Sequence, residues 1–317
     1  MADSLLTRAE LRQRFVTAAT EKFAANVPDF AALRRLVNDR GGVFVNDHAA
    51  VRIADPRVTE LLVRVAALLD LFPDRRYSFP AKKLESFDLQ VPGEDASQFK
   101  LFVSEVDIDA FPPEAADAIR EDAEINWAAA DYQALIEQVE QAESAGGLVS
   151  ADADALVEAV VEGLLTRSGP PIRRAVLEQV AAVSGEAASA LALGADFNHV
   201  TIDVLAAGYT GIEAMVADMQ ARGFRMLPAI QGAPGTKLRQ TATMAATMAT
   251  PVLEEDGSIG HAQTEKQFVE IIERSTVPDE SGRPKLASNG EPLIYKHFLA
   301  ANAEKIFDAA STRAGLS

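Results

Sequence analysis

The chain has 317 residues, a formal net charge of −17 and no cysteine. The lack of cysteine excludes disulfides, thiolate metal sites and a cysteine nucleophile, and the acidity opposes a nucleic-acid partner, because a phosphate backbone is gripped by clustered lysine and arginine. Hydrophobic residues make up 48% and charged residues 24%, no apolar run is long enough to span a bilayer, and the N-terminus MADSLLTRAELRQRF carries both signs of charge where a signal peptide needs an apolar stretch, so a cytoplasmic protein without a membrane partner is expected.

Taken in chain order, residues 1–40 read as helices, with Leu5, Leu6, Leu11, Phe15 and Val16 at helical spacing and a second helix in PDFAALRRLVNDR. Gly41-Gly42 breaks the pattern. GVFVNDHAAVRI is β-branched and half-alternating, a strand signature, and Asp55-Pro56 supplies the N-cap and first turn of a helix through RVTELLVRVAALLDLF. Two extended segments follow, RYSFPAKKLESFDL and QFKLFVSEVDI. Residues 111–190 are acidic, alanine-rich helix, read as an insertion or covering layer, with a loop at SAGGLVSAD.

At residue 196 the first arrangement starts again. DFNHVTIDV reads as a strand and TGIEAMVADMQARG as a helix ended by Gly223, followed by extended segments in FRMLPAIQG, GTKLRQTATMA and EKQFVEIIER. A last helix is expected in PLIYKHFLAANAEKIFDAAS. The fold class is therefore α+β, with two similar strand–helix–strand–strand modules at 41–110 and 191–275. The helical N-terminus occupies 1–40, the helical insertion 111–190, and a C-terminal loop and helix 276–317.

Only four histidines are available: His48, His199, His261 and His297. Two of them fall at equivalent points of the duplication, each after an Asx residue (Asp47-His48, Asn198-His199) in the first strand of its module. Side chains alternate across a strand, so His48 shares a face with Ala50 and Arg52, and His199 with Phe197, Thr201 and Asp203. Two modules packed about a pseudo-twofold axis bring their first strands together, and both imidazoles can then face one point. A carboxylate from EKQFVEIIERS would complete a metal site. Glu270 shares a face with Phe268, Ile272 and Arg274, and Glu273 with Val269 and Ile271; alternation alone does not choose between them. A carboxylate in an apolar strand needs a partner, and a metal would supply one. Two imidazoles and one carboxylate suit a non-haem iron(II) oxygenase, but also zinc with a bound water, manganese, nickel or cobalt. Set against this, a single strand histidine is more commonly a hydrogen-bonded structural residue, and an arginine such as Arg52 is more commonly a surface ion-pair partner. His261, after EEDGSIG, reads as a loop residue, His297 as a packing or capping residue of the last helix, and Lys82-Lys83 as solvated.

DHAAVR, FNHVTI, KLRQTAT and QFVEIIER, in this order and separation, resemble the 2-oxoadipate dioxygenase/decarboxylase family of the vicinal-oxygen-chelate superfamily. The likeness covers about residues 40–310. It implies a fold of duplicated βαβββ modules around a metal-binding cleft, with His48, His199 and Glu270 as iron(II) ligands, since the first glutamate of FVEIIER matches the ligand position. It also implies that Arg52 holds a substrate carboxylate and that Arg239, Gln240 and Thr241 line the pocket. The implied partners are a 2-oxo dicarboxylate and O2, the 2-oxo acid losing C1 as carbon dioxide while the shortened chain is hydroxylated. Characterised members have longer chains whose C-terminal residues help hold the substrate, and those have no match here. The alternatives from other classes are a zinc or nickel isomerase or hydrolase, and a ligand-binding protein without turnover.

Overall fold

The structure, a computed structural model, describes residues 5–265, 267–302 and 306. Two helices open it, α1 (Arg8–Asn26) and α2 (Phe30–Asp39). Thr7 and Glu10 form a reciprocal capping box at the start of α1. Gly41 then turns the chain at φ +70°, and Gly42 passes so close to Ala207 that a Cβ would stand 2.4 Å from its backbone carbonyl carbon. That contact, with Val43 N–H donating to Ala206 at 2.8 Å, ties the entry of the first module to the second.

The first module comprises β1 (Asn46–Ile53), α3 (Pro56–Leu68), β2 (Phe72–Phe79), β3 (Leu84–Gln90) and β4 (Lys100–Val106). Asp55 caps α3 by accepting from Arg57 N–H at 2.9 Å, with Pro56 in its first turn, as the sequence predicts. The helices α4 (Pro113–Ala129), α5 (Tyr132–Ala145) and α6 (Ser150–Glu158) follow, α6 running into a π-helical turn at Ala159–Leu164. Next come the two-residue β5 (Ile172–Arg173), α7 (Arg174–Ala181) and α8 (Gly185–Leu193). The second module contains β6 (His199–Asp203), α9 (Ile212–Ala221), β7 (Leu238–Ala242) and β10 (Phe268–Arg274), with a hairpin of β8 (Thr247–Leu253) and β9 (Ile259–Glu265) between the last two.

Seven strands make one sheet in the order β2-β3-β4-β1-β6-β10-β7. Within each module the first strand lies parallel to the last, β1 to β4 and β6 to β10. The modules join where β1 pairs antiparallel with β6. This places the two histidine-bearing strands side by side at the centre of the sheet.

Alternation sorts the sheet into two faces. Ala49, Val51, Ile53, Leu101, Val103, Val200, Ile202, Val269 and Ile271 belong to a core built with α1, α2, α3, α9 and the α5–α6 region. Ala50 and Phe102 belong to a core on the other face, with α4, α7, α8 and Phe298. The helical middle therefore covers both faces rather than one.

Three expectations are corrected. FRMLPAIQG is no strand: only the bridges Met226↔Thr243 and Gln231↔Gln240 form. Pro228 offers no N–H to a ladder, and Gly232 sits at φ +89°. The β8–β9 hairpin was not anticipated, although Asp256-Gly257 is a hairpin turn signal. His261 consequently lies on β9, exposed and opposite Pro251, not in a loop. The last helix does not begin at Pro292. Residues 275–299 run extended with bridges Thr276↔Ile294 and Leu286↔Pro292, and helix appears only at 300–302 and 306. The rest of that predicted helix lies outside the described residues.

Candidate metal centre

His48 on β1, His199 on β6 and Glu270 on β10 converge on the face opposite the α1–α3 core, with one ligand atom from each lying within 4.8 Å of the others. All three are buried, at 2%, 5% and 2% exposure. Glu270 Oε2 stands 3.3 Å from His199 Nε2 and 3.6 Å from His48 Nε2. Two donors about 2.1 Å from one ion and roughly at right angles would be about 3 Å apart, so the cluster is nearly of ligand dimensions before any ion is added. His199 Nε2 is buried and makes no hydrogen bond. A divalent cation would satisfy that nitrogen and neutralise a carboxylate that no lysine or arginine among the described residues pairs. The donor set fits a metal.

Each imidazole is held from behind by the Asx residue before it. Asp47 Oδ1 lies 2.9 Å from His48 Nδ1, and Asn198 Oδ1 lies 3.2 Å from His199 Nδ1. Such partners fix the ring so that Nε2 faces the ion. Adjacent strand residues normally point to opposite faces, and at β1 a register shift between Asn46 and Ala49 relaxes that rule. Asp47 is itself clamped: Arg274 donates to both its oxygens at 2.7 and 2.8 Å, and Lys100 Nζ is 3.5 Å away. Burial opposes its charge, but Arg274 and Lys100 hold the carboxyl well below the usual range. Burial pulls Lys100 down to about 8.

The two histidines differ in basicity. Burial disfavours a charged His48, yet Glu270 and the bond to Asp47 outweigh it and raise its pKa. Burial holds His199 well below its ordinary value, and the charges of His48 and Arg52 push the same way. Thr201 Oγ1 sits 3.1 Å from His48 Nε2. Phe298 closes the cluster from above, edge-on to His48 at 4.7 Å and to Phe102 at 5.1 Å between ring centroids.

The profile of the 2-oxoadipate dioxygenase/decarboxylase family matches residues 14–288. The chain belongs to that family. No curated protein matches it. Solved structures share its fold. A putative glyoxalase superfamily protein from Ralstonia eutropha superposes with a TM-score of 0.76 at 22% identity, over 87% of this chain and 86% of the other. The hydroxyglutarate synthase of Oryza sativa, crystallised with 2-oxoadipate, gives 0.73 at 19%, over 99% and 96%. That of Pseudomonas putida, also with 2-oxoadipate, gives 0.70 at 18%, over 98% of this chain and 76% of the other. At these identities the likeness establishes the glyoxalase-like fold.

Residues expected from the family resemblance separate into two groups. Gln240 lines the cavity with His48, His199, Glu270, Phe102 and Phe298. Arg239 and Thr241 do not, because consecutive strand residues alternate. Arg239 pairs with Glu213 and, at 3.2 Å, with Glu273, while Thr241 donates to Ala229 C=O at 3.1 Å. Glu273 accepts from Ile212 N–H at the start of α9, on the face away from the cluster. Arg52 is fully buried, its Nη1 2.5 Å from Glu186 of α8; its charge reaches His199, but it lines a separate cavity with Asp55, Asp122 and Arg167. Sequence reasoning placed Asp47, Arg274 and Thr201 on their strands without giving them a role at the cluster, and missed Glu186 and Phe298 altogether. The repeated Asx-His dipeptide was the visible sign of Asp47; the others depend on contacts between distant segments. No helix among the described residues is long and apolar enough to cross a membrane.

Proposed function

We propose that the chain is an iron(II)-dependent dioxygenase/decarboxylase converting 2-oxoadipate, or a close 2-oxo dicarboxylate, and O2 into 2-hydroxyglutarate and carbon dioxide. The observation that carries the reading is the buried convergence of His48, His199 and Glu270 in a chain of this family. Two imidazoles and a carboxylate leave open positions on one side of an ion, the pattern of non-haem iron oxygenases. Iron, when bound there, supplies the redox chemistry and a seat for the C1 carboxylate and C2 carbonyl of a 2-oxo acid.

The chain's own residues supply position and exclusion. Asp47 and Asn198 fix the imidazoles, and Arg274 fixes Asp47. Arg52 provides local positive charge for a dianion in a protein of net −17, and its planar guanidinium suits a carboxylate. Glu186 keeps that guanidinium in place. Gln240 presents an amide to the cavity, and Phe298, Leu299 and Ile306 keep water out. The cavity has about 20 Å³ for the centre of a water-sized molecule, room for about one. A six-carbon dianion therefore enters by displacing the segment that carries Phe298.

Anaerobic reconstitution with iron followed by oxygen-uptake measurement tests the reading. Uptake, 2-hydroxyglutarate and carbon dioxide should appear in equal amounts with 2-oxoadipate, and disappear without iron or substrate. No uptake with any 2-oxo acid would sink it, and turnover with zinc in the absence of oxygen would replace it by an isomerase or hydrolase.

A further inference from the structure

A second convergence of ligating side chains lies on the same sheet, at its far edge. Asp74 of β2, Asp88 of β3 and His297 of the C-terminal segment each bring one ligand atom within 4.8 Å of the others. The local backbone is built to allow it. The β2–β3 register shifts between Pro73 and Arg76, so that Asp74 and Arg75 together oppose the single Asp88. Such a bulge re-aims side chains.

The three groups are poorly satisfied by one another. Asp88 is fully buried, and its side chain accepts from the Gln90 amide and, at 2.8 Å, from the Arg75 N–H. No lysine or arginine pairs with it among the described residues. Burial and the neighbouring Asp74 push its carboxyl upward. His297 Nδ1 lies 3.0 Å from Asp74 Oδ2 but is a buried nitrogen without a hydrogen bond. Arg75 reaches only the outer carboxylate, at 3.8 Å. Two carboxylates and an imidazole nitrogen thus face one point, with Arg75 and the Gln90 amide, at 3.4 Å, as further neighbours of Asp74.

The position of His297 gives such a cation a consequence. It precedes Phe298, the ring that seals the His48–His199–Glu270 cavity. The same segment is also held by Arg274, which donates to Tyr295 C=O and His297 C=O at 3.0 Å each, by Lys296, which donates to Gly93 C=O at 2.5 Å, and by Glu94, which accepts from Ser288 N–H at 3.0 Å. His297 reaches Asp74 of β2 from this segment, beside the Phe298–Tyr77 ring contact.

We propose that Asp74, Asp88 and His297 form a second divalent-cation site, of a type suited to zinc, which fastens the C-terminal segment over the first. One imidazole and two carboxylates are ordinary zinc ligands, and half-exposed Asp74 leaves a side open to solvent. Site and fastening are independent of the reaction proposed above; only the effect on substrate entry depends on it.

Zinc content decides the matter. The full chain is stripped with chelator, dialysed against zinc and analysed for metal per protein. Wild type should hold two ions. His297→Ala and Asp74→Asn, neither deeply buried, should each hold one, as should Glu270→Ala by losing the other. Zinc should slow tryptic cleavage at Lys285 and Lys296 in wild type and Glu270→Ala, and have no effect in His297→Ala. One ion in wild type that both His297→Ala and Asp74→Asn keep, or two retained in both, would overturn the site, and the Asp74–His297 contact would then be an ordinary ion pair. Two ions without protection would overturn the fastening. Oxygen uptake plays no part, so failure here and failure of the proposed reaction are read separately.

Discussion

The two central strands carry the same device in different charge. On β1 an aspartate stands behind the histidine and an arginine follows four residues later; on β6 these places hold Asn198 and Asp203. Asp47 is anionic, locked to Arg274 and close to Lys100, and raises the basicity of His48. Asn198 is neutral and gives no such support, and His199 is held in its neutral form. A duplicated scaffold thus turns both imidazoles to one point while placing an arginine on one side only. Asp203, whose carboxyl burial pushes upward, turns instead to Ala206 N–H at 2.7 Å.

The largest expected effect comes from removing the ligand both halves share. Glu270→Ala should lower metal affinity by more than about 100-fold, beyond what loss of an outer partner costs. Glu273→Ala should leave metal content unchanged and cost about 1 kcal/mol through the lost bond to the start of α9, seen as a small fall in Tm. Equal metal loss in both would mean that the strand face has been misassigned.

Asp47→Asn makes the first half resemble the second. It leaves Arg274 buried without its counter-charge, a loss of about 3–5 kcal/mol in urea unfolding, and weakens metal binding by about 10–100-fold. An unchanged affinity would show that the aspartate serves folding alone. Arg52→Ala removes the cation peculiar to the first half. It should lower kcat/KM for 2-oxoadipate by about 10–100-fold, the value of a charge-assisted contact, with iron content near wild type. Loss of iron instead would make Arg52 structural, through Glu186. Asn198→Ala should have the smallest effect, about 10-fold on metal affinity, at the low end for an outer partner. An effect as large as that of Asp47→Asn would remove the asymmetry between the halves.

Much of the site's register was legible because strand alternation is local. His48 with Arg52, His199 with Thr201, and Glu270 apart from Glu273 all follow from period two. The same rule, applied to β7, would have separated Gln240 from Arg239 and Thr241. The Asp55-Pro56 helix start and the Gly223 helix end were legible for a similar reason, since caps depend on a few adjacent residues. The β8–β9 hairpin had its signal in Asp256-Gly257. The extended run at 275–299 had none: its apolar residues repeat at helical spacing, and long-range bridges decide its conformation.

By itself, then, the sequence determined the strand–helix opening of each module, which candidate ligands share a strand face, and the repeated Asx-His pair that marks the two central strands. Tertiary structure decided what those side chains meet. Asp47 finds Arg274 across 227 positions, Arg52 finds Glu186 on a helix of the middle segment, and Phe298 comes to rest on His48. Periodicity reports which way a residue points from its own backbone. Which partner waits there depends on how distant segments pack, and buried charges in particular are settled only by the counter-charge that packing delivers.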